Sequence, residues 1–199
     1  VKGPGFWNLP NTLTVIRIAM VPVMVVLLLE EPSKWFARLA MAIFVIAMIT
    51  DIVDGYLARK WGLVSVVGAF LDPLADKLMV TTTLVMLVPL GWIPAWLVAL
   101  LICRELTITA LRTIAVSEGL VIAAGTLGKF KTAFQGTALG FLLWHYTTEI
   151  WWWPVTVVDA HSCGIVLLYI ALFFSLASAW EYLADFRRHL RAEPEAPAA

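Results

Sequence analysis

Asp51-Ile52-Val53-Asp54-Gly55-Tyr56-Leu57-Ala58-Arg59 closes one apolar run, and Gly68-Ala69-Phe70-Leu71-Asp72-Pro73-Leu74-Ala75-Asp76-Lys77 opens the next. At 100° per residue Asp51, Asp54, Gly55 and Ala58 share one helical face about 100° wide. Asp72 and Asp76 are i,i+4 neighbours on the following helix. A short connection lets the two acidic faces meet. Two carboxylates about 5 Å apart repel by roughly 3 kcal/mol at an effective dielectric of 20, so four together consume much of an ordinary folding margin. Either some are protonated or cations sit between them. An all-oxygen ligand set of Asp51, Asp54, Asp72 and Asp76, without His or Cys, selects hard ions, Mg²⁺ or Mn²⁺. Two such ions sharing carboxylates form a clamp suited to phosphoryl chemistry.

The small residues among these acids agree with a bulky ligand. Gly55, Ala58 and Gly68 let it approach the backbone, although helix packing is the plainer reading of each glycine alone. Arg59 can grip phosphate oxygens in a bidentate fork. Pro73 is expected in the first turn of its helix, since proline lacks the N–H that a helix interior uses.

Outward from this stretch the chain is strongly apolar. Of 199 residues 61% are hydrophobic and 14% charged, with a mean hydropathy of +0.88. A soluble domain is about half apolar and a quarter charged, so an ordinary soluble protein is excluded. Fourteen Lys+Arg balance fourteen Asp+Glu, which excludes a nucleic-acid binder resting on bulk charge. Cys103 and Cys163 are too far apart in sequence, and too far from other ligands, for a disulfide framework or zinc motif.

Six runs, 12–29, 35–57, 70–89, 93–115, 132–149 and 163–184, reach the length of a bilayer-spanning helix. The first is too long for a signal-peptide core and is expected to be retained. Pro89-Leu90-Gly91-Trp92-Ile93-Pro94 marks a tight hairpin, and Trp151-Trp152-Trp153-Pro154 falls in a loop suited to headgroups. With the N-terminus inside, all lysines and arginines except Lys34 and Arg38 fall at or near one face. The positive-inside rule then puts both termini in the cytoplasm. The expectation is an all-α integral membrane protein with six transmembrane helices. Residues 1–191 form a single catalytic domain and 192–199 a disordered tail. His145 and His161 fall toward the outer face and His189 in the basic tail, all read as interfacial.

The spacing D-x2-D-G-x2-A-R-x8-G-x3-D-x3-D resembles the signature of the CDP-alcohol phosphotransferase family, integral membrane enzymes of phospholipid synthesis. Asn8-Leu9-Pro10-Asn11-Thr12-Leu13-Thr14 with Arg17, Ile102-Cys103-Arg104-Glu105, Leu111-Arg112 and Gly128-Lys129-Phe130-Lys131 resemble the branch whose acceptor is glycerol 3-phosphate. The resemblance implies that Asp51 and Asp72 bridge two divalent ions, with Asp54 on one and Asp76 on the other. Asp76 is also the implied proton acceptor. Asn11, Thr14, Gly55, Ala58, Arg59, Ser65 and Gly68 are implied at the CDP-diacylglycerol head. The implied reaction moves a phosphatidyl group to the sn-1 hydroxyl of glycerol 3-phosphate, giving phosphatidylglycerophosphate and CMP. A homodimer in the bacterial inner membrane, with its active site facing the cytoplasm, is likewise implied.

Such an acceptor carries its own phosphate and needs a cationic site. Arg104, Arg112, Lys129 and Lys131 all fall at the inner end of helices four and five, although topology alone also accounts for basic residues there. Two rival readings share the acids: a transferase of the same family using inositol phosphate, serine or phosphatidylglycerol, and a cation transporter. A transporter holds its ion site near the bilayer midplane, whereas both Asp pairs fall at one face.

Overall fold

The computed structural model describes residues 9–61, 66–118, 125–146, 148–149 and 157–191. Six helices account for nearly all of them: α1 Leu9–Leu27, α2 Lys34–Trp61, α3 Val66–Leu87, α4 Ala95–Ser117, α5 Thr126–Trp144 and α6 Ala160–Arg191. Every expected apolar run is a helix. Apolar periodicity is blind to the polar turns that extend a helix beyond its buried stretch, so the ends moved. α5 begins at Thr126 rather than 132, so Lys129 and Lys131 lie on its first turns, at the helix end where the sequence puts them. Between α5 and α6 lies an antiparallel pair of two-residue strands, β1 Thr148–Glu149 and β2 Val157–Val158, with Thr148 opposite Val158. The pair is too short to alter the all-helical class. The Trp151–Pro154 cluster and the tail from Ala192 lie outside the described residues.

Pro73 corrects one expectation. α3 starts at Val66, so the proline sits two turns inside the helix. Its ring opposes the carbonyl of Ala69, yet the helix runs on through Leu87. Helices shielded by neighbours and apolar surroundings tolerate such a proline because nearby groups satisfy the freed carbonyl. Asp72 and Asp76 therefore ride one unbroken helix.

α3 is joined to α4 by a tight turn in which the Gly91 N–H donates to the Val88 carbonyl at 2.9 Å and the Trp92 N–H to Leu87 at 3.1 Å. Gly91 has φ +69°, the left-handed conformation a side chain resists. Pro94, extended at φ −73° and ψ 136°, then opens α4. The most extensive pairing is α5 on α6, and α1 lies against both α2 and α3. At the α5–α6 contact a Cβ on Gly164 would come 2.7 Å from Leu142 Cγ, so only glycine lets the backbones approach.

The core runs down the centre of the bundle. Met24 from α1, Leu28 just beyond it, Phe44 from α2, Met79 and Leu84 from α3, Leu97 from α4, Leu139 and Leu142 from α5 and Leu168 from α6 are all buried. The outward faces are also apolar: Val26, Trp35, Ile52, Leu106, Phe173 and Trp180 are each more than 60% exposed. Water-facing helices place polar residues there. Lys34–Val53 and Ala160–His189 are long and apolar enough to cross a bilayer, each at mean hydropathy 2.1, and Asn11–Leu27 is a shorter apolar helix.

The two ends of the bundle differ in chemistry. At one end Trp92 stacks on His145 at 3.7 Å between centroids, and His145 lies 4.9 Å from His161. Lys34 and Arg38 cover the Tyr146 and Trp144 rings there. Asp51 lies 17 residues beyond Lys34 on α2, about 25 Å along the axis, and marks the acidic end.

Candidate functional site: a carboxylate cluster beside a basic cleft

Three helices meet at the acidic end, and each brings a defined element. α1 contributes Thr14 and Arg17, one turn apart and buried, with Arg17 only 2% exposed. α2 contributes Asp51, and α3 contributes Asp72 and Asp76. The Arg17 guanidinium donates to Asp51 Oδ1 at 2.7 Å. The Thr14 hydroxyl donates to Asp72 Oδ1 in a short hydrogen bond. Asp51 lies within electrostatic reach of both Asp72 and Asp76. The two acidic segments thus face each other, with α1 supplying a donor to each.

Gly55 is half-buried and Gly68 buried on the same two helices, as close approach to backbone requires. Asn11 is buried one turn before Thr14 on α1. Ser65 lies outside the described residues, as do the side chains of Asp54, Ala58 and Arg59, although α2 carries the latter three in its last turns.

The donor set can be tested against a divalent ion. Among the described residues no three His, Cys, Asp or Glu side chains converge as a ligand group, and the Asp54 side chain is not among them. The chemistry of the set nevertheless fits. Asp51, Asp72 and Asp76 offer hard oxygens alone, and the one guanidinium contact described for them leaves three carboxylates net negative. Each accepting oxygen keeps a lone pair, and Oδ2 of Asp51 and Asp72 is available for an ion.

Asp76 also faces away from this group. It lines a cleft of about 560 Å³ together with Lys77, Thr81, Glu105, Lys131 and Gln135. Glu105 of α4 is its electrostatic centre. Its Oε2 accepts from Lys131 Nζ at 2.5 Å and from Arg104 NH1 at 3.2 Å, and its Oε1 lies 3.7 Å from Lys77 Nζ. Lys77 Nζ also donates to Thr109 Oγ1 at 2.6 Å.

The four basic residues expected to share one site do not: three divide between two clefts and Lys129 lines neither. Lys131 belongs to the cleft with Asp76. Arg104 and Arg112 line a neighbouring cleft of about 430 Å³ with Gly128, Glu181, Tyr182 and Asp185. Arg104 is also a tie between helices, since its Nε donates to the Ser175 carbonyl at 2.9 Å and its NH2 to Ser178 Oγ at 2.6 Å on α6. Arg112 lies over the Tyr182 ring at 5.9 Å. Lys129 is exposed at the start of α5. Glu105 is held by Lys131 of the first cleft and by Arg104 of the second.

Sequence reasoning assigned no site role to Arg17, Lys77 or Glu105. For Arg17 a signal existed, because an ionisable residue inside an apolar helix is a functional candidate by default. In the sequence Arg17 enters only with the N-terminal segment that carries the resemblance and among the basic residues of the inner face. For Glu105 the signal was its place in the Ile102-Cys103-Arg104-Glu105 segment, which gives that carboxylate no role by itself.

The family described as CDP-alcohol phosphatidyltransferase matches residues 7–181, and the chain belongs to it. The chain is 42% identical over 190 residues to the CDP-diacylglycerol–glycerol-3-phosphate 3-phosphatidyltransferase of Bacillus subtilis, covering 89% of this chain and 94% of that one. It is 37% identical over 192 residues to the protein of that name from Pectobacterium atrosepticum, covering 94% and 99%. The Haemophilus influenzae protein of the same name is 40% identical over 186 residues, covering 89% and 92%.

Proposed function

We propose that this enzyme transfers the phosphatidyl group of CDP-diacylglycerol to the sn-1 hydroxyl of glycerol 3-phosphate, releasing phosphatidylglycerophosphate and CMP. The observation that carries the reading is the position of Asp76, which belongs to the carboxylate cluster on one side and lines the basic cleft on the other. A nucleotide-lipid head and an anionic acceptor meet only where those two environments touch. The relatives that share most of the chain carry the name of this reaction.

Asp51, Asp54, Asp72 and Asp76 would hold Mg²⁺ or Mn²⁺, two ions per site. Bound there, such ions neutralise the pyrophosphate and stabilise charge on the departing CMP. The remaining work falls to the chain's own groups. Arg17 and Thr14 fix the orientation of the Asp51 and Asp72 carboxylates. Gly55, Ala58 and Gly68 admit the nucleotide head, with Arg59, Ser65 and Asn11 contacting it. Lys131, Lys129, Arg104 and Arg112 draw the acceptor phosphate to this end of the bundle. The Asp76 carboxylate takes the proton from the sn-1 hydroxyl as that oxygen bonds to phosphorus and the phosphorus–CMP bond breaks.

The same reading places all six helices across the bilayer of the bacterial inner membrane. Residues 1–191 form one domain, both termini and the site face the cytoplasm, and the protein is a homodimer. The apolar outer faces support the first point. Lys34 and Arg38, capped by aromatic rings at the far end, support the orientation. Acyl chains then remain in lipid while the head reaches water.

The test is CMP release by detergent-purified protein with CDP-diacylglycerol and Mg²⁺, offering glycerol 3-phosphate, inositol phosphate, serine or phosphatidylglycerol singly. Release with glycerol 3-phosphate alone, abolished by a chelator and by Asp51→Asn, is expected. Release with another acceptor refutes the acceptor assignment. Release that survives chelation refutes the metal assignment.

A further inference from the structure

Among the described residues Glu105 is the one acidic side chain in the cleft besides Asp76, and three cations converge on it from three helices: Lys77 of α3, Arg104 of α4 and Lys131 of α5. Such a convergence has a consequence for Asp76. Lysine carries a mobile point charge on a four-carbon stem and takes whichever carboxylate is nearest. Lys77 follows Asp76 in sequence, and Lys131 is close enough to act on Asp76 electrostatically. Yet both ammonium groups are engaged by Glu105, and neither is paired with Asp76. Without Glu105 the carboxylate that remains in the cleft is Asp76 itself. A lysine resting on Asp76 would withdraw the carboxylate from ion and proton, and withdraw the cation from the acceptor phosphate.

We propose that Glu105 is a positioning residue for the acceptor: its carboxylate holds Lys131 and Lys77 off Asp76 and keeps their ammonium groups directed into the cleft, where the phosphate of the acceptor docks. The inference rests on the cleft being the acceptor site. Glu105 itself touches neither substrate. An anion entering the cleft meets Lys77 and Lys131, which Glu105 holds only through single contacts beside the Asp76 carboxylate, so it binds without displacing a strong bidentate pair. The Glu105–Lys131 contact uses one oxygen and one ammonium, which an incoming phosphate can join as a further acceptor.

The test is steady-state kinetics of the full-length protein in mixed micelles for Glu105→Gln, Glu105→Asp, Lys131→Gln and the double variant Glu105→Gln/Lys131→Gln. Glu105→Gln is expected to raise KM for glycerol 3-phosphate about tenfold or more, with KM for CDP-diacylglycerol changed less than about twofold. Glu105→Asp is expected to recover most of the loss. In the Lys131→Gln background the second substitution is expected to add less than about twofold, because its effect runs through a lysine already gone. Fully additive losses, unchanged constants in Glu105→Gln, or equal rises in both KM values overturn the inference. If Lys131→Gln alone leaves KM for glycerol 3-phosphate unchanged, the acceptor site itself is misplaced, which is a different failure. Should Glu105→Gln not fold, the double variant removes both charges of the pair, and its agreement or disagreement with Lys131→Gln decides.

Discussion

Replacing Arg17 by Met removes the guanidinium that α1 presents to Asp51 and keeps the length of an apolar stem. Unit charges about 4 Å apart attract by about 4 kcal/mol at an effective dielectric of 20. Loss of one partner from a fully buried pair costs about 3–5 kcal/mol, because the other charge is stranded. Arg17 is 2% exposed, but the Asp51 side chain keeps 36% of its surface in contact with solvent. Water recovers part of the loss, and about 2–3 kcal/mol is expected. For a chain of this size that lowers Tm by roughly 5–10 °C. A divalent ion bound to the same carboxylates supplies the missing positive charge. At about 100 times its dissociation constant it stabilises the folded state by about 2.7 kcal/mol. Thermal unfolding in detergent, with chelator and with saturating Mg²⁺, separates the two contributions. Arg17→Met is expected to show the larger Mg²⁺-induced rise in Tm and to approach the native protein when loaded. An equal deficit in chelator and in Mg²⁺ refutes the idea that guanidinium and metal compensate one charge group.

Three further outcomes are expected. Thr14→Val deletes the hydroxyl donated to Asp72 at nearly constant volume, costing about 1–2 kcal/mol and most of the turnover, while Thr14→Ser retains both; valine at native turnover excludes a role for that contact. Arg104→Lys cannot reproduce the forked contacts to Ser175 and Ser178, so Tm is expected to fall by several degrees and lysine to do no better than methionine; thermal unfolding of both variants checks this. At the far end, burial beneath Trp92 and the neighbouring His161 push the His145 imidazole below its ordinary value, against the smaller opposing pull of Asp159. The unfolded chain then binds the proton more readily, so His145 costs stability as pH falls through the ordinary imidazole range near 6.5 and costs nothing above it. Tm measured from pH 8 to 5 is expected to fall less steeply for His145→Gln, and parallel curves refute the assignment.

Much of this protein is legible in one dimension because its informative features are local. Apolar runs report helices, and the Asp51–Ala58 face follows from helical periodicity alone. The i,i+4 relation of Asp72 and Asp76 needs nothing beyond their being on one helix. Their charge density argues for cations before any neighbour is known. Rules of local chemistry failed where the surroundings overrule them. Local chemistry expects Pro73 in a first turn because an isolated helix resists an interior proline, and the packed α3 does not. β1 and β2 are two residues each, too short for any periodicity to register.

What tertiary structure alone decided is which cation answers which carboxylate. Arg17 meets Asp51 across 34 positions, and Thr14 meets Asp72 across 58. Lys131 and Lys77 converge on Glu105 because of how α3, α4 and α5 are rotated against one another. The same rotation sends Arg104 and Arg112 into a second cleft, although Arg104 adjoins Glu105 in sequence. Long basic side chains reach several ångströms in any direction, so sequence position fixes the end of the bundle they occupy but not their partner. The sequence determined that acids and bases gather at one end; the packing of the helices determined the division of labour between them.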